Sequence, residues 1–255
     1  RTRMQAGKYF YKRPPYGYDA NENGELVIPN SRLGANVNIG IMKEWFDDEV
    51  YTFARPSEIK VSLYRAESLE EVAAKQGTPC EEITLNETNN WSYSKTLQRL
   101  KNPEDPNDNS IYYYYVEEIN APAGYTVTYK NNDGESVKDG GIIQIENTLD
   151  TIDLNVKKSW ITKGGSTPNS VQVKLQYSKD NGTTWMDVPD STQTLTGSGW
   201  TYTYTGLPSN CIYRAVEVSV PAGWNADNNG RSNTSNTDGD TLTLTNTLQT
   251  AGLKV

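Results

Sequence analysis

Histidine is absent from this 255-residue chain. Its absence excludes His-based catalytic triads, most zinc sites and imidazole acid–base chemistry. Cysteine is scarce: Cys80 and Cys211 are the only two. They fall in different halves of the chain, so neither half can close a disulfide of its own. Both are read as unpaired thiols, Cys80 in a loop after Thr78-Pro79 and Cys211 at the start of a strand. Stability outside a cell would then need a staple other than sulfur. No apolar run approaches the length that spans a bilayer, and the basic N-terminus lacks the apolar core of a signal peptide, so no membrane insertion is expected of this segment. The net charge of −8 argues against a surface for nucleic acid or an anionic membrane, either of which would need a basic patch. Phenylalanine and methionine number three each against 17 tyrosines. With Thr, Val, Asn and Gly also abundant, the balance favours strands and turns over helices. No cofactor is expected, and no metal.

What is present is a three-part pattern that occurs twice in the same order. Ile39-Gly40-Ile41-Met42-Lys43-Glu44-Trp45 is answered by Leu154-Asn155-Val156-Lys157-Lys158-Ser159-Trp160. Val116 to Tyr125 carries Glu118 and a Pro-Ala-Gly-Tyr ending, and Ala215 to Trp224 carries Glu217 and Pro-Ala-Gly-Trp. Glu146-Asn147-Thr148-Leu149 is matched by Thr245-Asn246-Thr247-Leu248. The two glutamates lie 99 positions apart (217 − 118), and so do the two asparagines (246 − 147).

Strand signals dominate the rest. Ile59, Val61 and Leu63 alternate with polar residues, as do Val171, Val173, Leu175 and Tyr177. Trp91 and Tyr93 answer Trp200, Tyr202 and Tyr204, and Asn181-Gly182 is a hairpin signal. The expected fold is all-β: two tandem sandwiches, at 36–149 and 150–248, joined tightly through Asp150-Thr151. A short helix is expected over Ser68 to Lys75, with Ser68 as N-cap and Glu71 closing a capping box. It reads as an insertion in the first repeat, and Lys101 to Ser110 reads as a second, looped insertion. Asp227 to Asp240 is expected to be a long surface loop, and the Tyr112–Tyr115 run a strand with aromatics on both faces. Residues 1–35 are expected to be an arm or the tail of a preceding domain, 249–255 a lead into the next module, and the whole a piece of a longer chain.

Side-chain parity points to chemistry. Alternate strand residues share a face, so Ile39, Ile41, Lys43 and Trp45 point together, as do Leu154, Val156, Lys158 and Trp160. The apolar members mark the core side and carry each lysine inside, whereas Lys157 faces solvent. Burial disfavours the ammonium and drives lysine toward the neutral, nucleophilic amine. Glu118 shares its parity with Val116, and Glu217 with Ala215, so both acids are expected inside, with raised pKa values. Such an acid could polarise an asparagine carboxamide and shuttle a proton while the lysine attacks Cγ. Held together in a dry site, the three groups would form an amide and release ammonia, once per domain and without turnover.

At these residues the sequence resembles the CnaB-type (collagen-adhesin B-repeat) domains of Gram-positive surface adhesins and pilins. The shared elements are Lys-x-Trp (Lys43/Trp45 and Lys158/Trp160), the run from Tyr114 to Tyr125 and from Tyr213 to Trp224, and the closing Asn147-Thr148 and Asn246-Thr247. Arg55-Pro56-Ser57 and Asn90 to Tyr93 also match; Thr167 to Asn169 and Gly199 to Tyr202 stand there, more weakly, in the second copy. The resemblance implies inverse Ig-like sandwiches with internal Lys43–Asn147 and Lys158–Asn246 isopeptide bonds, promoted by Glu118 and Glu217 and supported by Trp45 and Trp160. It further implies an extracellular, cell-wall-attached stalk segment that is not a turnover enzyme. Its partners would be neighbouring domains of the same surface protein and a host matrix or cell-surface ligand. Two alternatives remain: a ligand-binding adhesin region using the first domain's insertions, and an accessory sandwich of a secreted carbohydrate-active enzyme.

Other signals are discounted. Ser178 to Trp185 fits an Asp-box but occurs once, and reads as a hairpin turn. Asp19 to Asn30 has calcium-loop spacing, with Asn30 where the bidentate glutamate should be.

Overall fold

Each repeat begins with a strand whose apolar residues fall on every second position, and that alternation sets which side chains enter the core. In the computed structural model, which describes residues 2–5, 8–11, 34–197 and 199–250, strand β3 (Asn36–Phe46) buries Val37, Ile39, Ile41 and Lys43 and turns the intervening residues outward. Strand β10 (Thr151–Ile161) does the same with Ile152, Leu154, Val156 and Lys158. Ahead of them, β1 (Thr2–Gln5) and β2 (Lys8–Tyr11) pair antiparallel. The rest of the expected N-terminal arm lies outside the described residues, as do the calcium-like stretch and all but Gln249 and Thr250 of the expected C-terminal lead.

In the first repeat β3 is central in a four-stranded sheet. It pairs antiparallel with β6 (Ser92–Gln98) and parallel with β9 (Gly141–Leu149), and β8 (Tyr125–Lys130) closes the far edge. The facing sheet has β4 (Glu58–Ala66) between β5 (Thr78–Asn86) and β7 (Tyr113–Ile119). The second repeat repeats this plan. Strand β10 lies between antiparallel β14 (Thr201–Pro208) and parallel β18 (Thr241–Leu248), with the short β16 (Trp224–Ala226) beyond. Opposite it, β11 (Ser170–Ser178) pairs with β12 (Met186–Asp187), β13 (Gln193–Thr196) and β15 (Ile212–Glu217), and β17 (Arg231–Ser235) extends the sheet. The result is the expected all-β pair of sandwiches. One core gathers Ile39, Ile41, Val61, Leu63, Val116, Ile143 and Ile145, the other Leu154, Val156, Val173, Leu175, Ala215, Leu242 and Leu244. Asp150 alone separates β9 from β10.

The helix forms where expected, as α1 (Leu69–Ala74), with the Ser68 side chain accepting from Glu71 N–H. The capping box is not closed as predicted, because Glu71 Oε2 accepts from Glu67 N–H, one residue before the cap. Val72 of α1 packs with Tyr115, on the opposite face of β7 from the core-facing Tyr114, so the tyrosine run does serve both faces. Cys80 lies inside β5 rather than in a loop, exposed on that edge strand; Cys211 is buried, and both are free thiols. The stretch from 227 to 240 is no simple loop. A 3₁₀ turn at Asp227–Gly230 leads into β17, which covers the outer edge of β15. The corresponding edge of β7 is closed by side chains instead: Asn132 accepts from Val116 N–H and donates to Val116 O, and Glu118 N–H donates to the Tyr129 hydroxyl. Among the described residues no helix is long and apolar enough to cross a membrane.

Candidate functional site

The parallel pairing of first and last strands builds the site. On β3 and β9 the register sets Lys43 opposite Ile145 and Trp45 opposite Asn147. On β10 and β18 it sets Lys158 opposite Leu244 and Trp160 opposite Asn246. Lysine and asparagine are thus offset by two residues on adjacent strands, both facing the core. The glutamates come from the opposing sheet, at the end of β7 and of β15.

All six expected residues gather as two Lys–Glu–Asn triads, each member buried except the half-buried Glu118. Lys43 is 4% exposed and Asn147 fully buried; Lys158, Asn246 and Glu217 are buried too. Asn147 Nδ2 donates to Glu118 Oε1 at 3.2 Å, and Asn246 Nδ2 to Glu217 Oε2 at 2.9 Å. Lys158 Nζ lies 3.0 Å from Glu217 Oε1, an ion pair by distance, yet that oxygen receives no well-directed hydrogen bond. The lysines are steadied by backbone carbonyls as well, Lys43 Nζ donating to Glu44 O at 2.7 Å and Lys158 Nζ to Ser159 O at 3.3 Å. Each ammonium rides over an indole, at 3.8 Å from the Trp45 centroid and 4.3 Å from that of Trp160.

The electrostatics follow from enclosure. Burial pulls Lys43 down to about 8 from its ordinary 10.5, against the opposing pull of Glu118 and Asp47. Burial also lowers Lys158, against Glu217. Glu118 is raised, because burial outweighs its hydrogen bond from Asn147 and the nearby lysine. At the first site both shifts favour a neutral Lys43 amine near a protonated Glu118. Both carboxamide oxygens, Asn147 Oδ1 and Asn246 Oδ1, are buried without a hydrogen-bond partner, a state that ordinarily costs about 1–3 kcal/mol each. The acids contact the nitrogen end of each carboxamide rather than its oxygen. That contact suits them to deliver a proton to a departing nitrogen.

Three contributors escaped the sequence reading. Trp91 and Trp200 adopt left-handed backbone, with φ of 54° and 55°, and their carbonyls accept the lysine N–H groups, Lys43 at 2.8 Å and Lys158 at 2.7 Å. Their rings meet Trp45 and Trp160 edge-on at 5.2 and 5.1 Å. A tryptophan at positive φ is strained; the available signal was the turn residue before it, Asn90 or Gly199. The third is Asp47, whose side chain is fully buried beside the first site. Among the described residues no group of three or more His, Cys, Asp or Glu could hold a metal ion.

The family model for the Cna protein B-type domain matches residues 39–148 and again 154–247. A curated collagen adhesin of Staphylococcus aureus is 27% identical over 208 residues, covering 80% of this chain and 15% of its own length. The chain therefore spans a small part of that relative. Among solved structures, the two-repeat B1B2 unit of the S. aureus collagen-binding protein aligns over 84% of this chain and 50% of its own, at 26% identity and a TM-score of 0.39. A shaft pilin of Lactobacillus rhamnosus GG aligns over 85% of this chain and 99% of its own, at 13% identity and a TM-score of 0.36.

Proposed function

Because the chain belongs to the Cna protein B-type domain family, we propose that it is a stalk segment of a Gram-positive, cell-wall-attached surface adhesin or pilin, held by two self-formed Lys–Asn amide cross-links. The observation that carries this reading is the double occurrence of one Lys–Glu–Asn triad, its lysine and asparagine buried, at one strand register.

The chemistry needs nothing beyond these side chains. The neutral Nζ of Lys43 attacks Cγ of Asn147; a proton from the amine passes through Glu118 to Nδ2. The Cγ–Nδ2 bond breaks, the Nζ–Cγ amide remains, and one ammonia departs. Lys158, Glu217 and Asn246 do the same in the second sandwich. Fixed geometry in a water-excluded core supplies most of the acceleration. Each site reacts once, so the chain is not a turnover enzyme.

The cross-links suit a load-bearing role. Tension entering at Asn36 would run along β3 to Lys43, cross to Asn147 and leave through Leu149 into the next sandwich. The 103 residues between the linked pair (147 − 43 − 1) lie outside that path. The partners in this reading are neighbouring domains of the same surface protein. Intact-mass measurement tests it: the wild-type chain should be two ammonias lighter than its sequence, and Lys43→Ala or Glu217→Gln should each restore one. A wild-type mass equal to the sequence mass would overturn the reading.

A further inference from the structure

The two triads differ in what surrounds their tryptophans. Beside Trp45, Asp47 Oδ2 accepts from Arg55 Nε at 2.8 Å and from the Tyr125 hydroxyl at 2.9 Å, and Asp47 Oδ1 pairs with Arg55 Nη2. Tyr125 meets the Trp45 ring edge-on at 5.0 Å, and the Arg55 guanidinium lies 5.8 Å from its centroid. The second repeat carries Thr162, Thr167 and Trp224 at the matching positions. It has no counterpart of this polar cluster.

Two of these residues, Arg55 and Tyr125, lie at or next to the joint between the sandwiches. The 3₁₀ segment Glu49–Ala54 leads into Arg55. Within it Phe53 stacks on Tyr177 of the second sandwich, centroids 3.9 Å apart, and with Tyr51 packs against that sandwich's core. Lys179 Nζ donates to Phe53 O at 2.7 Å and to Arg55 O at 3.4 Å. Asn210 Nδ2 donates to Ala54 O at 3.1 Å and to Ala123 O at 3.0 Å. Gly124, the next residue and the one before Tyr125, lies so close that an added Cβ would sit 2.7 Å from Asn210 Cβ. Thus Arg55 is itself bonded to the second sandwich and Tyr125 is one residue from its contact, while both grip Asp47.

We propose that Asp47, Arg55 and Tyr125 are positioning residues through which docking of the second sandwich sets the geometry of the first triad, so that the Lys43–Asn147 bond matures only after the joint has closed. The second triad, without the cluster, matures on its own. This inference rests on the cross-linking reading above.

The test follows each bond separately in the full chain. Cell-free synthesis is quenched in acid at intervals, and the two cross-linked peptides are quantified after digestion. Phe53→Ala loosens the joint without touching the triad; Asp47→Asn cuts the relay. Both should slow the first bond about tenfold, in line with the cost of small misplacements in a reacting pair, and leave the second unchanged. Asp47 also favours the charged form of Lys43, so a purely electrostatic role would make Asp47→Asn faster. Acceleration therefore overturns the proposal. So do first-bond rates within about twofold of wild type in either variant, or equal slowing of both bonds. Wild-type chain that loses no ammonia at either site would instead refute the cross-linking reading itself.

Discussion

Replacing Glu118 by Gln keeps the side chain's size but removes the acid that touches Asn147 Nδ2 at 3.2 Å. The first amide should not form, and the second should be untouched. The residues of the proposed link are 104 positions apart (147 − 43), and closing a loop of that size would remove denatured-state entropy worth about 4.7 kcal/mol. The variant also leaves Lys43 buried without its carboxylate, which acts in the same direction. For a unit the size of the first sandwich, each kcal/mol shifts the melting point by at least about 4 °C, so its transition should fall by roughly 20 °C. Scanning calorimetry beside intact-mass measurement reads both quantities, with the second sandwich as internal reference. A variant one ammonia heavier than wild type that melts with it would refute the loop-closure argument. A variant still short of two ammonias would refute the role given to Glu118.

Asn147→Ala should leave Lys43 as a free, buried amine whose pKa is about 8 folded and 10.5 unfolded. The unfolded chain then binds more protons in that window, so stability rises with pH across it. Urea titrations should show the gap between variant and wild type narrowing by about 3 kcal/mol from about pH 8 to pH 10.5; a constant gap would contradict this. Asn132→Ala strips the two hydrogen bonds that close the β7 edge at Val116 and should cost about 1–3 kcal/mol, seen as faster amide exchange at Val116; unchanged exchange would show that the edge is protected otherwise. Single-molecule pulling of Glu118→Gln should release roughly 350 Å of extra contour length as the formerly closed loop pays out at about 3.5 Å per residue; no added step would argue against a cross-link in wild type.

Much of this was legible because the triads obey simple rules. Parity alone sent Lys43 and Lys158 inward and Lys157 outward, and the two asparagines and two glutamates were marked by repetition. What escaped depended on backbone conformation or on distant partners. Nothing in the identities of Trp91 and Trp200 announces a positive φ, which bulky residues ordinarily avoid. Asp47 follows an aromatic and precedes Asp48, and so looks like a surface turn; its burial comes from Arg55 and Tyr125, the latter 78 positions away. The 227–240 stretch is rich in Asn, Asp and Gly, yet Arg231–Ser235 pairs as a strand, since the unpaired edge of β15 outweighs weak local propensity. Cys80 was drawn into β5 by the same pull from β4.

The two sites also separate what the fold fixes from what it leaves free. The lysines are 115 positions apart (158 − 43) while the asparagines are 99 apart (246 − 147), so the first repeat carries 16 more residues (115 − 99), all between its lysine and its glutamate. That interval holds the 3₁₀ segment, α1 and the loop from 101 to 110. None of this disturbs the pairing of Trp45 with Asn147 or of Trp160 with Asn246, and each glutamate stays 29 positions before its asparagine. Insertions are absorbed at surface connections, where added length costs little. The parallel register of first and last strands cannot absorb even one residue without turning the lysine or the asparagine out of the core. The proposed cross-linking is therefore tied to the strand pair, and the first repeat carries its joint and its Asp47 cluster around a triad held at the same register as the second.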